Sequence, residues 1–205
     1  MPEKRAFRET PLGNIVILAV VTLIVLAGIW LVGSWRDGSA SAAAESGDTT
    51  GVSEVDVPDS GQPAPEVGQP APAFTARTTG GDTFEVGEPG QPTWLIFNAT
   101  WCSNCRAEVP DIQEVYQQVG DRAQIISVYV SDTPSAVLDY SAKLNLTYPQ
   151  VIDSGNKIAS LYRVMGLPTH YFLDADGNIH SVEVGTLGQA QVLAKLAELG
   201  VQVGG

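Results

Sequence analysis

An apolar run that stops just short of a pair of cysteines limits most strongly what this chain can fold into. Thr93 to Ala99 reads TWLIFNA, with little polar alternation, as a strand covered on both faces does. It belongs in the middle of a sheet. After Thr100 and Trp101 come Cys102, Ser103, Asn104 and Cys105, and then Val109, Ile112, Val115, Tyr116 and Val119 recur at helical spacing before Gly120. A buried strand therefore feeds a helix through a four-residue cysteine segment. Pro110 falls inside that helix, where its missing N–H predicts a kink one turn past the cysteines.

Gln124 to Val130 (QIISVYV) reads as a second buried strand, and Ser131, Asp132 and Pro134 as the capped start of a helix to about Leu144. Strand–helix alternation of this kind implies a parallel core and an α/β fold. Further on, Gln150 to Ile152 suits a short strand and Asn156 to Tyr162 a short helix. Thr169 to Leu173 turns at the DADG sequence into Ile179 to Val184 as a hairpin. Val192, Leu193, Leu196 and Leu199 share one face of a last helix before Gly200.

Composition divides the chain. Ile15 to Val32 is almost wholly apolar, and as a helix it spans about 27 Å, enough to cross a bilayer. Lys4, Arg5 and Arg8 precede it and Arg36 alone follows closely, so the positive-inside bias places residues 1–13 in the cytoplasm, a membrane anchor at 14–32 and the remainder outside. A cleaved signal peptide is the alternative, since SASAAAES offers an A-x-A-like site. Residues 33–68 are Gly, Ser, Ala, Pro and acid, with seven Asp or Glu against Arg36, and read as a flexible linker. Residues 69–205 have ordinary globular composition. Their fourteen acids against seven Lys or Arg, a formal charge of −7, argue against nucleic acid or anionic lipid as a partner.

The chemistry lies in the cysteine segment. Cys102 stands at a helix start, where unpaired amides and the helix dipole favour the thiolate, the attacking species in disulfide exchange. Cys105, one turn on, is placed to attack a resulting mixed disulfide and should be the more buried of the two. A zinc site is disfavoured, because His170 and His180 do not stand at metal-finger spacing from the cysteines. His170 reads as a strand residue beside the core.

The W-C-x-x-C motif followed by R-A-E-V-P, and the distant G-L-P-T-H-Y-F-L-D, resemble the TlpA/ResA-like branch of the thioredoxin superfamily over about Pro70 to Leu199. The resemblance implies a thioredoxin-like fold, a central mixed β-sheet flanked by helices, with an extra helix and strand inserted at about Thr133 to Ile152. It maps the nucleophile to Cys102, the resolving cysteine to Cys105, the family's acid three residues beyond the second cysteine to Glu108, and a cis-proline facing the site to Pro168. The position of Glu108 one turn beyond Cys105 suits it to proton transfer with that thiol. With Pro168 the resemblance places Leu167 and Trp101 as the substrate-binding surface. Thioredoxin itself keeps a buried aspartate six residues before the first cysteine, where this chain has Ile96. The family also commonly has proline before the second cysteine, where this chain has Asn104, which leaves the direction of electron flow open.

The expectation is a membrane-anchored, extracytoplasmic thiol-disulfide oxidoreductase with no metal and no cofactor beyond its redox-active disulfide. By resemblance it reduces exported proteins such as apocytochrome c and is itself re-reduced by a membrane donor of DsbD or CcdA type. A disulfide oxidase or isomerase is one alternative. A copper-delivery protein using Cys102, Cys105 and His170 is another, disfavoured because related copper carriers separate their cysteines by three residues.

Overall fold

A computed structural model describes residues 20–23, 25–26, 54–58, 61–86 and 90–202. The chain divides into two units, Met1–Gly47 and Asp48–Gly205. In the first, the described residues 20–23 and 25–26 are helical. The rest of the expected anchor, and 33–53 of the expected linker, lie outside the described residues. Among the described residues no helix is long and apolar enough to cross a membrane.

The second unit holds two sheets. Strands β1 (Val55–Asp56), β2 (Phe74–Arg77) and β3 (Thr83–Val86) form a small antiparallel sheet in chain order. Strands β4 (Thr93–Asn98), β5 (Gln124–Val130), β6 (Gln150–Asp153), β7 (Thr169–Leu173) and β8 (Ile179–Val184) form a mixed sheet in the order β6-β5-β4-β7-β8. β4 is central and buried along its whole length, parallel to β5 and antiparallel to β7. The helices are α1 (Ser103–Val119), α2 (Pro134–Leu144), α3 (Lys157–Leu161) and α4 (Gln189–Glu198). α2 and β6 extend the sheet beyond β5, as an insertion into the minimal thioredoxin pattern would.

Alternation along the strands splits the core in two. Leu95, Phe97, Val128, Tyr171 and Leu173 face Phe74, Ile158 and Tyr162. Trp94, Ile96, Ile125 and Phe172 face Val109, Ile112 and Val115 of α1 and Val192 and Leu196 of α4. This period of two is what places Trp94 beside residues of β7 on the α1 side.

Two expectations are corrected. Residues 54–58 and 61–68 do not all behave as free tether: Val55 pairs with Ala76, Val55 and Val57 pack against the core, and Gln62 Oε1 accepts from the Ala73 N–H at 2.8 Å. α2 is capped by Thr133, whose hydroxyl accepts from the Ala136 N–H, rather than by Ser131 or Asp132. α1 is helical on both sides of Pro110 and forms one element, ending where Gly120 adopts φ 56°.

Candidate active site

β4 ends at Asn98, and four residues later Cys102 caps α1 in extended conformation, its sulfur accepting from the Cys105 N–H at 3.2 Å. The two cysteines are joined as a disulfide, with Cα atoms 5.2 Å apart. Their exposure differs: Cys102 is half-buried and Cys105 is 1% exposed. Opposite them, the Leu167–Pro168 peptide is cis, Pro168 is buried, and the Leu167 carbonyl oxygen lies 3.9 Å from Cys102 Sγ. A surface depression of about 510 Å³ opens here between the cysteine segment and the loop before Pro168, rimmed by Trp101 and Met165, which are 60% and 96% exposed.

Beneath this surface, Glu108 extends from α1 into the core and is 1% exposed. Its Oε1 accepts from the Leu187 N–H at 3.2 Å and lies 3.4 Å from Nε2 of His170, while Oε2 has no hydrogen-bond partner. Desolvation by burial pushes the carboxyl up to about 7, against the lowering effect of the Leu187 N–H and with a further rise from Asp111. His170 is fully buried, and desolvation pushes its ring down to about 4, against the raising effects of the Gly185 carbonyl and Glu183. At neutral pH His170 is therefore uncharged and the pair is no ion pair.

A sequence profile of the AhpC/TSA family matches residues 67–182. The chain belongs to the AhpC/TSA family. Its relatives include the thioredoxin-like protein YneN of Bacillus subtilis, 32% identical over 61% of this chain and 75% of that protein. The thiol-disulfide oxidoreductase ResA of Bacillus cereus is 29% identical over 65% of this chain and 79% of that protein. Among solved structures, StoA from Bacillus subtilis superposes with a TM-score of 0.57 at 25% identity, covering 62% of this chain and 97% of that one. With this fold, these relatives and a cysteine pair at disulfide distance, this family member is a thiol-disulfide oxidoreductase of thioredoxin-like fold.

Within the family framework, the structure gathers Trp101, Cys102 and Leu167 at the surface depression and keeps Cys105, Glu108 and Pro168 beneath it. His180 stands apart, exposed, with Nε2 3.1 Å from Glu198. Sequence reasoning missed two supporting residues. Asp132, beyond β5, accepts from the Thr100 N–H at 2.7 Å and the Thr100 hydroxyl at 2.6 Å, and so pins the segment that leads into Cys102. Trp94 donates through Nε1 to Nδ1 of His170 at 3.4 Å. Its signal was available: it stands two residues before Ile96 on a strand, and so on the same face.

Proposed function

We propose that the protein is a membrane-anchored, extracytoplasmic dithiol reductase of exported proteins, with Cys102 as attacking thiol, Cys105 as resolving thiol and Glu108 as the proton acceptor for Cys105. The observation that carries the division of labour is the unequal exposure of the two sulfurs within one disulfide at a helix start. A substrate disulfide reaches Cys102, while Cys105 sits one turn deeper on the same face as Glu108.

The reducing direction is favoured by how little stabilises a thiolate at Cys105. The buried carboxyl of Glu108 disfavours a second negative charge at Cys105. A couple whose reduced form is only modestly stabilised is reducing rather than oxidising. The apolar rim of Trp101, Val164, Met165 and Leu167 suits an extended apolar segment flanking a substrate cysteine, paired along the Leu167 backbone beside Pro168. Apocytochrome c is the leading substrate, and a DsbD- or CcdA-type membrane protein the electron donor.

Anchoring is supported by the run Ile15 to Val32, whose described residues are helical with exposed Val20, Val21, Leu23, Val25 and Leu26. A copper-delivery role has less support, since both ring nitrogens of His170 are engaged, by Trp94 and by Gly185. The test of direction is the reduction potential of the Cys102–Cys105 couple. A value near those of cellular reductants such as thioredoxin, about −270 mV, supports the reductase. A value near that of a strong oxidase, about −120 mV, overturns it. Resistance of the full-length protein to alkaline carbonate extraction tests the anchor, and a soluble mature form beginning near Ala42 to Glu45 contradicts it.

A further inference from the structure

One buried ionisable side chain has no part in the chemistry above. His170 sits on β7 directly across the ladder from Ile96, stacks on Trp94 with ring centroids 6.0 Å apart, and receives the Trp94 indole N–H at Nδ1. Because Nδ1 accepts, the hydrogen-bond network assigns the single proton of the neutral ring to Nε2. Nε2 lies 3.1 Å from the Gly185 oxygen and 3.4 Å from Glu108 Oε1. The imidazole is thus fixed at both nitrogens, its Nε2–H on the Gly185 carbonyl, with the Glu108 carboxyl against the same edge of the ring.

That placement decides what each oxygen of Glu108 can do. Oε1 accepts from the Leu187 N–H with the His170 ring 3.4 Å away, and Oε2 is buried with no partner. A buried oxygen without a donor is costly unless something supplies a proton to it. In the reduced protein Cys105 carries such a proton.

We propose that His170 is a positioning residue of the resolving step, whose ring, fixed by Trp94 and Gly185 and 3.4 Å from Glu108 Oε1, keeps that oxygen in place and leaves Oε2 to take the proton of Cys105. This rests on the assignment of Glu108 as proton acceptor. In the step, the Cys105 S–H bond breaks, its proton passes to Oε2, and the thiolate attacks Cys102 Sγ. The bond from Cys102 to the substrate sulfur breaks, the substrate thiolate leaves with the electron pair and takes a proton from water, and the cysteine pair is left oxidised. When the disulfide is next reduced, Cys105 departs as thiolate and regains the proton from Glu108.

Burial keeps His170 an uncharged donor throughout this cycle rather than a base. The other ionisable groups facing the pair are Asp111 on α1, the Tyr148 hydroxyl, and Glu183 on β8, which Lys195 of α4 pairs at 3.0 Å. The N–H dipole of the neutral ring beside Oε1 favours the carboxylate, so its loss leaves Glu108 protonated to higher pH and unable to accept.

Full-length reduced protein mixed with an aromatic disulfide whose thiol is coloured releases that thiol in two phases, attack by Cys102 and then resolution by Cys105. For His170→Leu the expected second phase is about tenfold slower at pH 7, with its acid limb moved to higher pH and the first phase unchanged. His170→Gln, which restores an N–H donor, returns the limb toward wild type. If the second phase of His170→Leu overlays wild type while Glu108→Gln loses the limb, His170 is packing only and the inference is overturned. If both variants overlay wild type, the Glu108 assignment itself falls. Should His170→Leu not fold, ¹⁵N resonances of His170 in wild-type protein decide: protonated Nε2 with bare Nδ1 at pH 7 agrees, whereas protonated Nδ1 or a cation overturns the proposal.

Discussion

Asp132 and Glu108 are buried carboxylates on opposite sides of the cysteine segment, one reached from the end of β5 and the other from α1. Both oxygens of Asp132 are occupied, by the N–H and hydroxyl of Thr100. Glu108 has one oxygen held and the other bare. A carboxylate with its acceptor capacity filled ties two chain segments together and has nothing left to react with. A carboxyl left half-satisfied one turn beyond Cys105 gives up stability and keeps a place for a proton. In the proposed function, structure and chemistry are thus divided between two side chains of the same kind.

The largest expected effects come from the cysteines between them, without which neither carboxylate matters. Cys102→Ser is expected to abolish disulfide exchange and trap no substrate, and Cys105→Ser to lose turnover while accumulating mixed disulfides on Cys102, read by non-reducing electrophoresis and mass spectrometry. Preferential alkylation of Cys105 in the reduced protein at neutral pH would reverse the two roles.

Next in size is Glu108→Gln, measured in the oxidised protein so that no thiol titrates. The folded carboxyl, raised to about 7 from 4.5, binds a proton that the unfolded chain has already lost. Its contribution to stability is therefore fully present below pH 4.5 and is lost as pH rises through 7, by up to about 3 kcal/mol. His170 works in the opposite sense: its folded pKa is lowered, so its contribution is present above pH 6.5 and is lost as pH falls toward 4. In wild type the two slopes oppose each other between pH 4.5 and 6.5. Denaturant unfolding across pH should show Glu108→Gln gaining on wild type by about 3 kcal/mol from pH 4.5 to 8, exposing the His170 slope. A pH-independent gap would place Glu108 with Asp132 as a structural group.

Asp132→Ala is expected to cost about 2 kcal/mol in unfolding experiments, by stripping the acceptor from two Thr100 donors, and to slow exchange without changing the shape of its pH profile. A changed profile would mean that both carboxylates take part in proton transfer. The smallest effect belongs to the far face of the sheet. Tyr162 donates its hydroxyl to the Pro72 carbonyl at 2.7 Å, and Tyr162→Phe should cost about 1 kcal/mol and leave exchange at every pH as it was.

Much of this arrangement was legible before any coordinates. β4, β5 and β7 are apolar runs, and α1 and α4 carry regular apolar spacing, so their existence and order follow from pattern alone. β2 and β3 do not stand out in the sequence because FTAR and TFEV, though they alternate, are only four residues long. β1 was missed because two residues inside an acidic, Pro-rich stretch carry none. Asp132 looked like a helix cap, the ordinary role of an acid before Ser or Pro, but its partner Thr100 lies 32 residues earlier and only the β4–β5 pairing brings them together. His170 was read correctly as a core strand residue. Its engagement with Trp94 and Glu108 depends on the register that sets His170 opposite Ile96, which no single-strand pattern encodes.

The claim on which the account turns is that Glu108 is a desolvated, half-satisfied carboxyl beside the resolving thiol. Its side-chain carboxyl carbon can be followed directly by ¹³C NMR through a pH titration of the oxidised protein. The account predicts a midpoint of about 7, moving higher when the disulfide is reduced and Cys105 can share the charge. A midpoint near 4.5 in both redox states, as for a carboxyl in water, would contradict it.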